Sequence, residues 1–84
     1  MSSWVVYILR CGDGTLYTGV TIDLERRLDS HNRGVASKYT RSRLPVKLVY
    51  QERQRNRADA SKREAAIKKL PRPAKLKLIR GKFG

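Results

Sequence analysis

Residues 4–33 of this 84-residue chain, WVVYILRCGDGTLYTGVTIDLERRLDSHNR, decide the fold. Residues 4–9 are β-branched, aromatic or aliphatic, a composition typical of a strand, and residues 16–20 have a similar character. The segment between them, Cys11-Gly12-Asp13-Gly14, predicts a tight turn, because glycine accepts the positive φ that short hairpin loops require. The first part of this stretch therefore predicts a β-hairpin.

The second part of the stretch predicts a helix from about Asp23 to Arg33, with Gly34 as its stop. In helical projection, one side carries two leucines together with Arg27 and His31, and this is the side that should face the sheet. A cation among sheet-facing residues is costly unless a group on the sheet needs it. The arginine and the histidine therefore indicate a functional site.

Two tyrosines of the predicted hairpin are the groups that this side of the helix could meet. Tyr7 shares its face of the first strand with Val5 and Leu9, and Tyr17 shares its face of the second strand with Gly19. We therefore expect two phenol hydroxyls, a guanidinium and an imidazole to lie close together.

The rest of the chain predicts a third strand and two more helices. The predicted elements are a polar loop at residues 35–44, a strand at residues 46–50 and helices at residues 57–70 and 73–80. The strand should place Val46, Leu48 and Tyr50 on one face. Asn56 is the expected N-cap of the first helix, and Gly81 is the expected stop of the second. Together these elements predict an α/β fold with a small three-stranded antiparallel sheet flanked by helices.

The composition restricts the class of protein. The length allows one small domain, residues 1–84, and the net charge of +13 predicts a polyanionic partner, most simply nucleic acid. An anionic membrane surface is the weaker alternative, because no predicted helix combines a broad apolar face with a basic one. The longest apolar run, residues 4–9, is too short to cross a bilayer, and we expect a cytoplasmic protein. Cys11 is the single cysteine, which excludes an internal disulfide.

The ordered set of motifs resembles the GIY-YIG nuclease domain. Val5-Val6-Tyr7 and Tyr17-Thr18-Gly19, followed by Arg27 and His31, carry the resemblance. It is closest to the small, single-domain bacterial branch of the family and to related structure-selective repair nucleases. Later segments fit that branch as well, namely residues 38–41, 45–50 and 63–70. The resemblance covers nearly the whole chain.

This resemblance implies a metal-dependent DNA endonuclease that hydrolyses phosphodiester bonds, structure-selective and linked to DNA repair or recombination. It places the family's metal-binding glutamate on Glu64, and it implies that Tyr7, Tyr17 and His31 share proton handling. Arg27 suits a phosphate, because its guanidinium donates to two oxygens at once. The acidic residues are few and scattered, so we expect a single Mg²⁺ or Mn²⁺ ion rather than two. The general base could be either tyrosine or the histidine.

Two positions depart from the family's wider pattern. Val5 stands where the first motif usually has glycine, a change common in the small branch. Larger relatives also carry an asparagine downstream of the metal-binding glutamate, whereas no asparagine follows Asn56 in this chain. The missing asparagine bears on how the phosphate and the leaving group are held.

Polar and basic residues in two segments are predicted to contact nucleic acid. The loop contributes Lys38, Thr40, Arg41 and Arg43, and the C-terminal third contributes Lys68, Lys69, Lys75 and Lys77. The expected partner is DNA, branched or single-stranded, read by its shape through phosphate contacts, with a protein partner supplying specificity. The alternative function is a non-catalytic DNA- or RNA-binding module of the same fold.

Overall fold

The computed structural model describes residues 3–81, which form three strands and four helices. In chain order these are β1 (Trp4–Arg10), β2 (Leu16–Thr21), α1 (Leu24–Asn32), α2 (Lys38–Arg41), β3 (Lys47–Gln54), α3 (Arg57–Lys69) and α4 (Arg72–Gly81). The strands form one antiparallel sheet in the order β2-β1-β3. The predicted fold, a three-stranded antiparallel sheet flanked by helices, is confirmed. No helix within the described range has the length and apolar character needed to cross a membrane.

The central strand β1 is covered on both faces. Its residues from Val5 to Leu9 are all buried, so a half-buried alternation is absent. Val6 and Ile8 pack in a first cluster with Ala60 and Ile67 of α3. The second cluster, on the other face, contains Tyr7, Leu9, Cys11 and Val46, with Leu24 and Leu28 of α1 packed against them. The sheet is therefore the middle layer between α1 and α3.

The third strand does not have the one-sided alternation that its sequence predicts. Its register against β1 shifts between Ile8, which pairs with Tyr50, and Leu9, which pairs with Leu48. Val49 is the extra residue of this bulge, and it reverses the faces of the residues on either side. Leu48 packs against the second cluster and Tyr50 belongs to the first. The prediction that both share a face is wrong because period-two alternation assumes an uninterrupted ladder.

The helix boundaries follow mostly from local chemistry. The carboxylate of Asp23 accepts a backbone hydrogen bond in the first turn of α1, and Asn56 does the same for α3. Gly34 has a φ of 78°, as expected for a glycine that ends a helix. Gly81 differs, because it is the last residue of α4 and has no positive φ. Its predicted role as a stop beyond the helix is wrong.

The loop after α1 is tied down at both ends. The backbone N–H of Gly12 in the hairpin turn donates to the carbonyl of Arg43 at 2.7 Å. A Cβ at Gly12 would lie 2.7 Å from the carbonyl oxygen of Leu44, so only glycine permits this approach. At the start of β3, the N–H of Val46 donates to Oδ1 of Asn32 at 2.9 Å. These contacts hold α2 beside α1.

A partly buried carboxylate links β3 to α3. Glu52 accepts hydrogen bonds from the Tyr50 hydroxyl, the Gln54 amide and the Arg63 guanidinium. Burial raises the pKa of Glu52, but the hydrogen bonds from Arg63 and Tyr50 outweigh it, so the pKa lies below its usual value. The contribution to stability is complete above the ordinary glutamate pKa of 4.5 and is lost as the pH falls through the lowered value.

We predict that Glu52→Gln lowers stability at pH 7 by about 1 kcal/mol, because it removes a charged acceptor at a partly exposed site. For a chain of this size that corresponds to roughly 4–8 °C in Tm. The difference from the parent should shrink as the pH falls below 5 and through the lowered pKa of Glu52, where the parent carboxylate is also protonated. Thermal unfolding followed by circular dichroism at each pH measures it. Glu25→Gln, at an exposed position on α1, is the control, and an equal effect of both changes would contradict the prediction.

Candidate active site

Two tyrosines and the histidine meet between the sheet and α1. The hydroxyl of Tyr7 lies 2.9 Å from Nε2 of His31, and both residues are fully buried. The ring centroid of Tyr17 lies 5.2 Å from that of His31 and 6.5 Å from that of Tyr7. Tyr17 is only partly buried. The expected proximity of these three side chains is present, although their catalytic roles stay predictions.

The ring of Tyr7 needs the glycine that faces it across the sheet. Tyr7 and Gly19 are partners in the antiparallel register of β1 and β2. A Cβ at Gly19 would lie 2.6 Å from the Tyr7 hydroxyl oxygen and 2.7 Å from the adjoining ring carbon. The ring therefore occupies the space that a side chain at Gly19 would fill, which directs its hydroxyl towards His31.

Arg27 stands at the edge of this cluster instead of inside the core. The residue is exposed, whereas its side of the helix predicts that it faces the sheet. A long side chain can lay its aliphatic stem along buried residues while its charged head group stays in solvent. The positive charge of the Arg27 guanidinium acts on both buried groups: it opposes the rise in the pKa of Tyr7 and lowers the pKa of His31. Arg27 is thus the accessible cation of the site.

The Tyr7–His31 pair is uncharged at neutral pH. Burial raises the pKa of Tyr7 to about 12, the neighbouring Tyr17 adds to this rise, and Arg27 opposes it. Burial also lowers the pKa of His31, and the positive charge of Arg27 lowers it further. A neutral phenol hydrogen-bonded to a neutral imidazole is the form that a buried site tolerates. Tyr7 therefore does not act as a preformed phenolate.

Glu64 approaches the cluster from α3. Its negative charge is close enough to contribute to the raised pKa of Tyr7, and its side chain is 24% exposed. Its carboxylate also pairs with Nζ of Lys68, four residues further along α3, at 3.4 Å. This surface ion pair is the alternative to binding of a metal ion by Glu64. Glu64 is thus a partly exposed carboxylate whose charge acts on Tyr7.

The chemistry of these donors suits one hard cation. Within residues 3–81, no group of three or more histidine, cysteine, aspartate and glutamate side chains gathers in one place. A two-ion site requires several clustered carboxylates, whereas Mg²⁺ binds through one or two and keeps its waters. Glu64 alone therefore has the chemistry to hold a single ion, and the single-ion site stays a prediction.

Two residues predicted to contact nucleic acid have partners within the protein instead. Thr40 is fully buried, and its Oγ1 lies 2.9 Å from Nδ1 of His31. Arg43 donates to the carbonyl of Tyr39 at 2.8 Å, and its Nε lies 3.1 Å from a carboxylate oxygen of Asp13 in an ion pair. Burial argues against the predicted phosphate contact of Thr40, and the partners of the partly exposed Arg43 argue against that of Arg43. Both side chains instead hold α2 against its neighbours.

A layered stack supports Tyr17 from the side of α2. The ring of Tyr39 lies 5.9 Å from that of Tyr17, with an angle of 29° between the planes. The guanidinium of Arg43 covers the Tyr39 ring at 3.9 Å. Sequence reasoning did not identify Tyr39 as a support for Tyr17, because nothing local indicates that α2 folds back onto β2.

The other predicted nucleic-acid contacts lie in separate regions. Lys38, Arg41, Lys68, Lys69 and Lys77 are exposed, and Lys75 is partly buried. The short helix α2 packs beside α1, whereas α4 packs against β3 and adds Leu78 and Ile79 to the first cluster. The structure therefore places Lys38 and Arg41 on the short helix whose Tyr39 stacks on Tyr17, and it places the cations of α4 in the other helical layer.

Comparison with known proteins gives consistent matches. The sequence model of the GIY-YIG catalytic domain matches residues 3–77. A UPF0213 protein of Desulfotalea psychrophila is 52% identical over 79 residues, which cover 93% of this chain and 72% of the relative. A UPF0213 protein of Staphylococcus aureus is 50% identical over 80 residues, covering 95% of this chain and 98% of the relative.

Two solved structures resemble this one over almost its full length. The solution NMR structure of a UPF0213 protein from Bacillus halodurans has a TM-score of 0.63 and 40% identity, covering 100% of this chain and 88% of that one. The solution NMR structure of a protein from E. faecalis has a TM-score of 0.66 and 41% identity, covering 96% and 86%. Both are similar to this chain in fold and in sequence.

We predict that Gly19→Ala displaces the Tyr7 hydroxyl from His31 and costs about 1–3 kcal/mol of stability, because the added methyl overlaps the ring. Denaturant unfolding measures the cost. An NMR spectrum of the single histidine reports whether the hydrogen bond survives. Gly81→Ala is the control, since a Cβ at that position meets no atom within 4 Å. Unchanged stability and an unchanged histidine spectrum in Gly19→Ala would contradict this account of the glycine.

Proposed function

Because this chain belongs to the GIY-YIG family, we propose that it is a metal-dependent endonuclease that hydrolyses phosphodiester bonds in DNA. One observation carries the proposal: an exposed arginine and a solvent-accessible glutamate both act electrostatically on a buried, hydrogen-bonded Tyr7–His31 pair. A module that only binds nucleic acid needs basic residues but has no need of this arrangement.

Arg27 is proposed to bind the phosphate at which the bond breaks. Negative charge accumulates on the non-bridging oxygens during hydrolysis, and a guanidinium can donate to two of them at once. The side chain is exposed, so it can reach a substrate. Its electrostatic interaction with Tyr7 restricts where its head group lies before a substrate arrives. Such restriction favours catalysis because fewer rearrangements remain to be made.

The two tyrosines are proposed to have different tasks because they differ in access. Tyr17 is partly exposed, so its hydroxyl is the one that can contact an attacking water directly. Tyr7 is fully buried, where it forms a hydrogen bond with His31 and interacts electrostatically with Arg27. Tyr39 and Arg43 restrain the ring of Tyr17 from the other side. This division assigns the water-facing role to Tyr17 and a positioning role to Tyr7.

Glu64 is proposed to hold a single Mg²⁺ or Mn²⁺ ion. When bound, the ion would stabilise negative charge on the phosphate and on the leaving oxygen. Lys68 now pairs with the carboxylate, and its side chain is 54% exposed, so it can turn into solvent when a cation takes its place. Tyr7 adds no negative charge beside the ion, because it remains protonated at neutral pH.

The substrate is proposed to be recognised by shape, as in a structure-selective role in DNA repair or recombination. Exposed Lys38 and Arg41 lie on the helix beside α1 and suit contacts with the DNA backbone near the site. The cations of α4 would engage more distant phosphates. Each duplex phosphate that is neutralised adds about −0.9 to the slope of log affinity against log salt. A protein partner would supply any selectivity beyond this.

We predict that Arg27→Ala lowers cleavage about 10²–10³-fold, because it removes the donor to the developing charge. DNA binding should change by less than about threefold, since one phosphate contact is lost among many. The assay uses labelled single-stranded, duplex, flap and branched DNAs with Mg²⁺, with Mn²⁺ and with EDTA. Arg26→Ala is the matched control, because this neighbouring arginine is also exposed and lies about 100° around the helix from Arg27. Equal losses from both changes would refute the proposed role.

We predict that Glu64→Gln abolishes Mg²⁺-dependent cleavage and leaves DNA binding in EDTA equal or slightly stronger. The amide keeps the shape but removes the charge that holds the cation and repels phosphate. Glu25→Gln, on the exposed side of α1, should leave cleavage intact.

Parental cleavage by Glu64→Gln, in a preparation free of contaminating nuclease, would remove the metal site from the proposal. Absence of cleavage by the parent on every DNA in the panel, combined with salt-dependent binding, would favour the alternative of a non-catalytic nucleic-acid-binding module.

A further inference from the structure

A chain of polar groups runs through the buried side of the site. The Thr40 hydroxyl lies 2.9 Å from Nδ1 of His31, and Nε2 of the same ring lies 2.9 Å from the Tyr7 hydroxyl. All three residues are fully buried. Each hydrogen bond could in principle run in either direction, because hydroxyls and a neutral imidazole both donate and accept.

One end of the chain fixes the direction at Tyr7. Arg27 has only donors and its positive charge acts on Tyr7, which favours the orientation in which the Tyr7 oxygen faces the guanidinium and the phenol proton points away from it. The phenol proton then needs an acceptor, and Nε2 of His31 is the one within reach. If Nε2 carried a proton instead, the phenol hydrogen would be left in a buried position without a partner, which is costly.

The other end fixes the same direction at Thr40. Its hydroxyl lies 3.4 Å from the backbone carbonyl of Ser37, and a carbonyl only accepts. The Thr40 proton therefore points to Ser37, and its oxygen is left to accept from Nδ1–H of His31. The two ends agree, since both require a proton on Nδ1 and a free lone pair on Nε2.

We propose that Thr40 is a positioning residue that holds His31 in the Nδ1–H tautomer and thereby keeps the Tyr7 oxygen available to Arg27. Its hydroxyl acts through His31 and Tyr7 and contacts no substrate. The consequence for cleavage rests on the proposed nuclease function, whereas the tautomer does not. The position of Thr40 on the short helix α2 also explains why that helix must be held against α1.

The test measures the tautomer directly. His31 is the single histidine of the chain, so long-range ¹H–¹⁵N NMR of the labelled protein reports one imidazole ring. The parent should show a protonated Nδ1 and an unprotonated Nε2. Thr40→Val keeps the shape but lacks the hydroxyl, and it should shift the ring towards a proton on Nε2. Thr40→Ser keeps the hydroxyl and should retain the parental tautomer.

Kinetics separate positioning from packing. Thr40→Val should lower kcat about 10- to 100-fold, as for other residues that orient a functional histidine. KM should stay within about twofold, because no substrate contact is lost. Thr40→Ser should restore kcat to within about threefold of the parent. A folded Thr40→Val with the parental tautomer and the parental kcat would overturn the proposal.

Failure of this inference is distinguishable from failure of the proposed function. A parental spectrum with the proton on Nε2 overturns the tautomer assignment without any variant, even if Thr40→Val does not fold. A parent that cuts no DNA but shows the Nδ1–H tautomer supports the assignment and counts against the nuclease function alone. A shifted tautomer in Thr40→Val with unchanged kcat overturns the catalytic consequence.

Discussion

The hydrogen bond between Tyr7 and His31 is the contact on which the site depends. It joins the central strand to α1 inside a region that water does not reach, so neither polar group has an alternative partner in solvent. The space for it exists because Gly19 has no side chain beneath the ring. The sheet register, the glycine and the helix position must therefore agree before the site can form.

This contact also explains why a small sheet has helices on both faces. The odd-numbered side of β1 carries Tyr7 and requires α1 to supply His31. The even-numbered side carries Val6 and Ile8 and requires α3 to cover them. The same helix α3 brings Glu64 towards the phenols from the opposite layer. The same layers therefore serve stability and the candidate site. Apolar residues pack the helices onto the sheet, and the polar side chains of the site meet where these layers join.

The positively charged residues of the chain have more than one structural environment. The net charge of +13 indicates a polyanionic partner, but the arginines do not all face that partner. Arg43 pairs with Asp13 and covers Tyr39, and Arg63 binds Glu52 between β3 and α3. Arg27 is exposed and reaches the buried tyrosine. Composition alone therefore overstates the number of arginines available to nucleic acid.

The sequence by itself determined the hairpin, the start of a helix near Asp23, the helix cap at Asn56, and the meeting of Tyr7, Tyr17 and His31. These features follow from turn and cap residues and from strand alternation and helical periodicity, which set the direction of each side chain. Only the tertiary structure decided the bulge in β3, the exposure of Arg27, the ion pair of Glu64 and the burial of Thr40. The bulge depends on pairing between distant strands, and the exposure of Arg27 depends on the reach of a flexible side chain. The ion pair depends on which of several neighbouring cations approaches Glu64. The Thr40 contact requires a loop to fold back onto a helix, and no local pattern in the chain encodes that return.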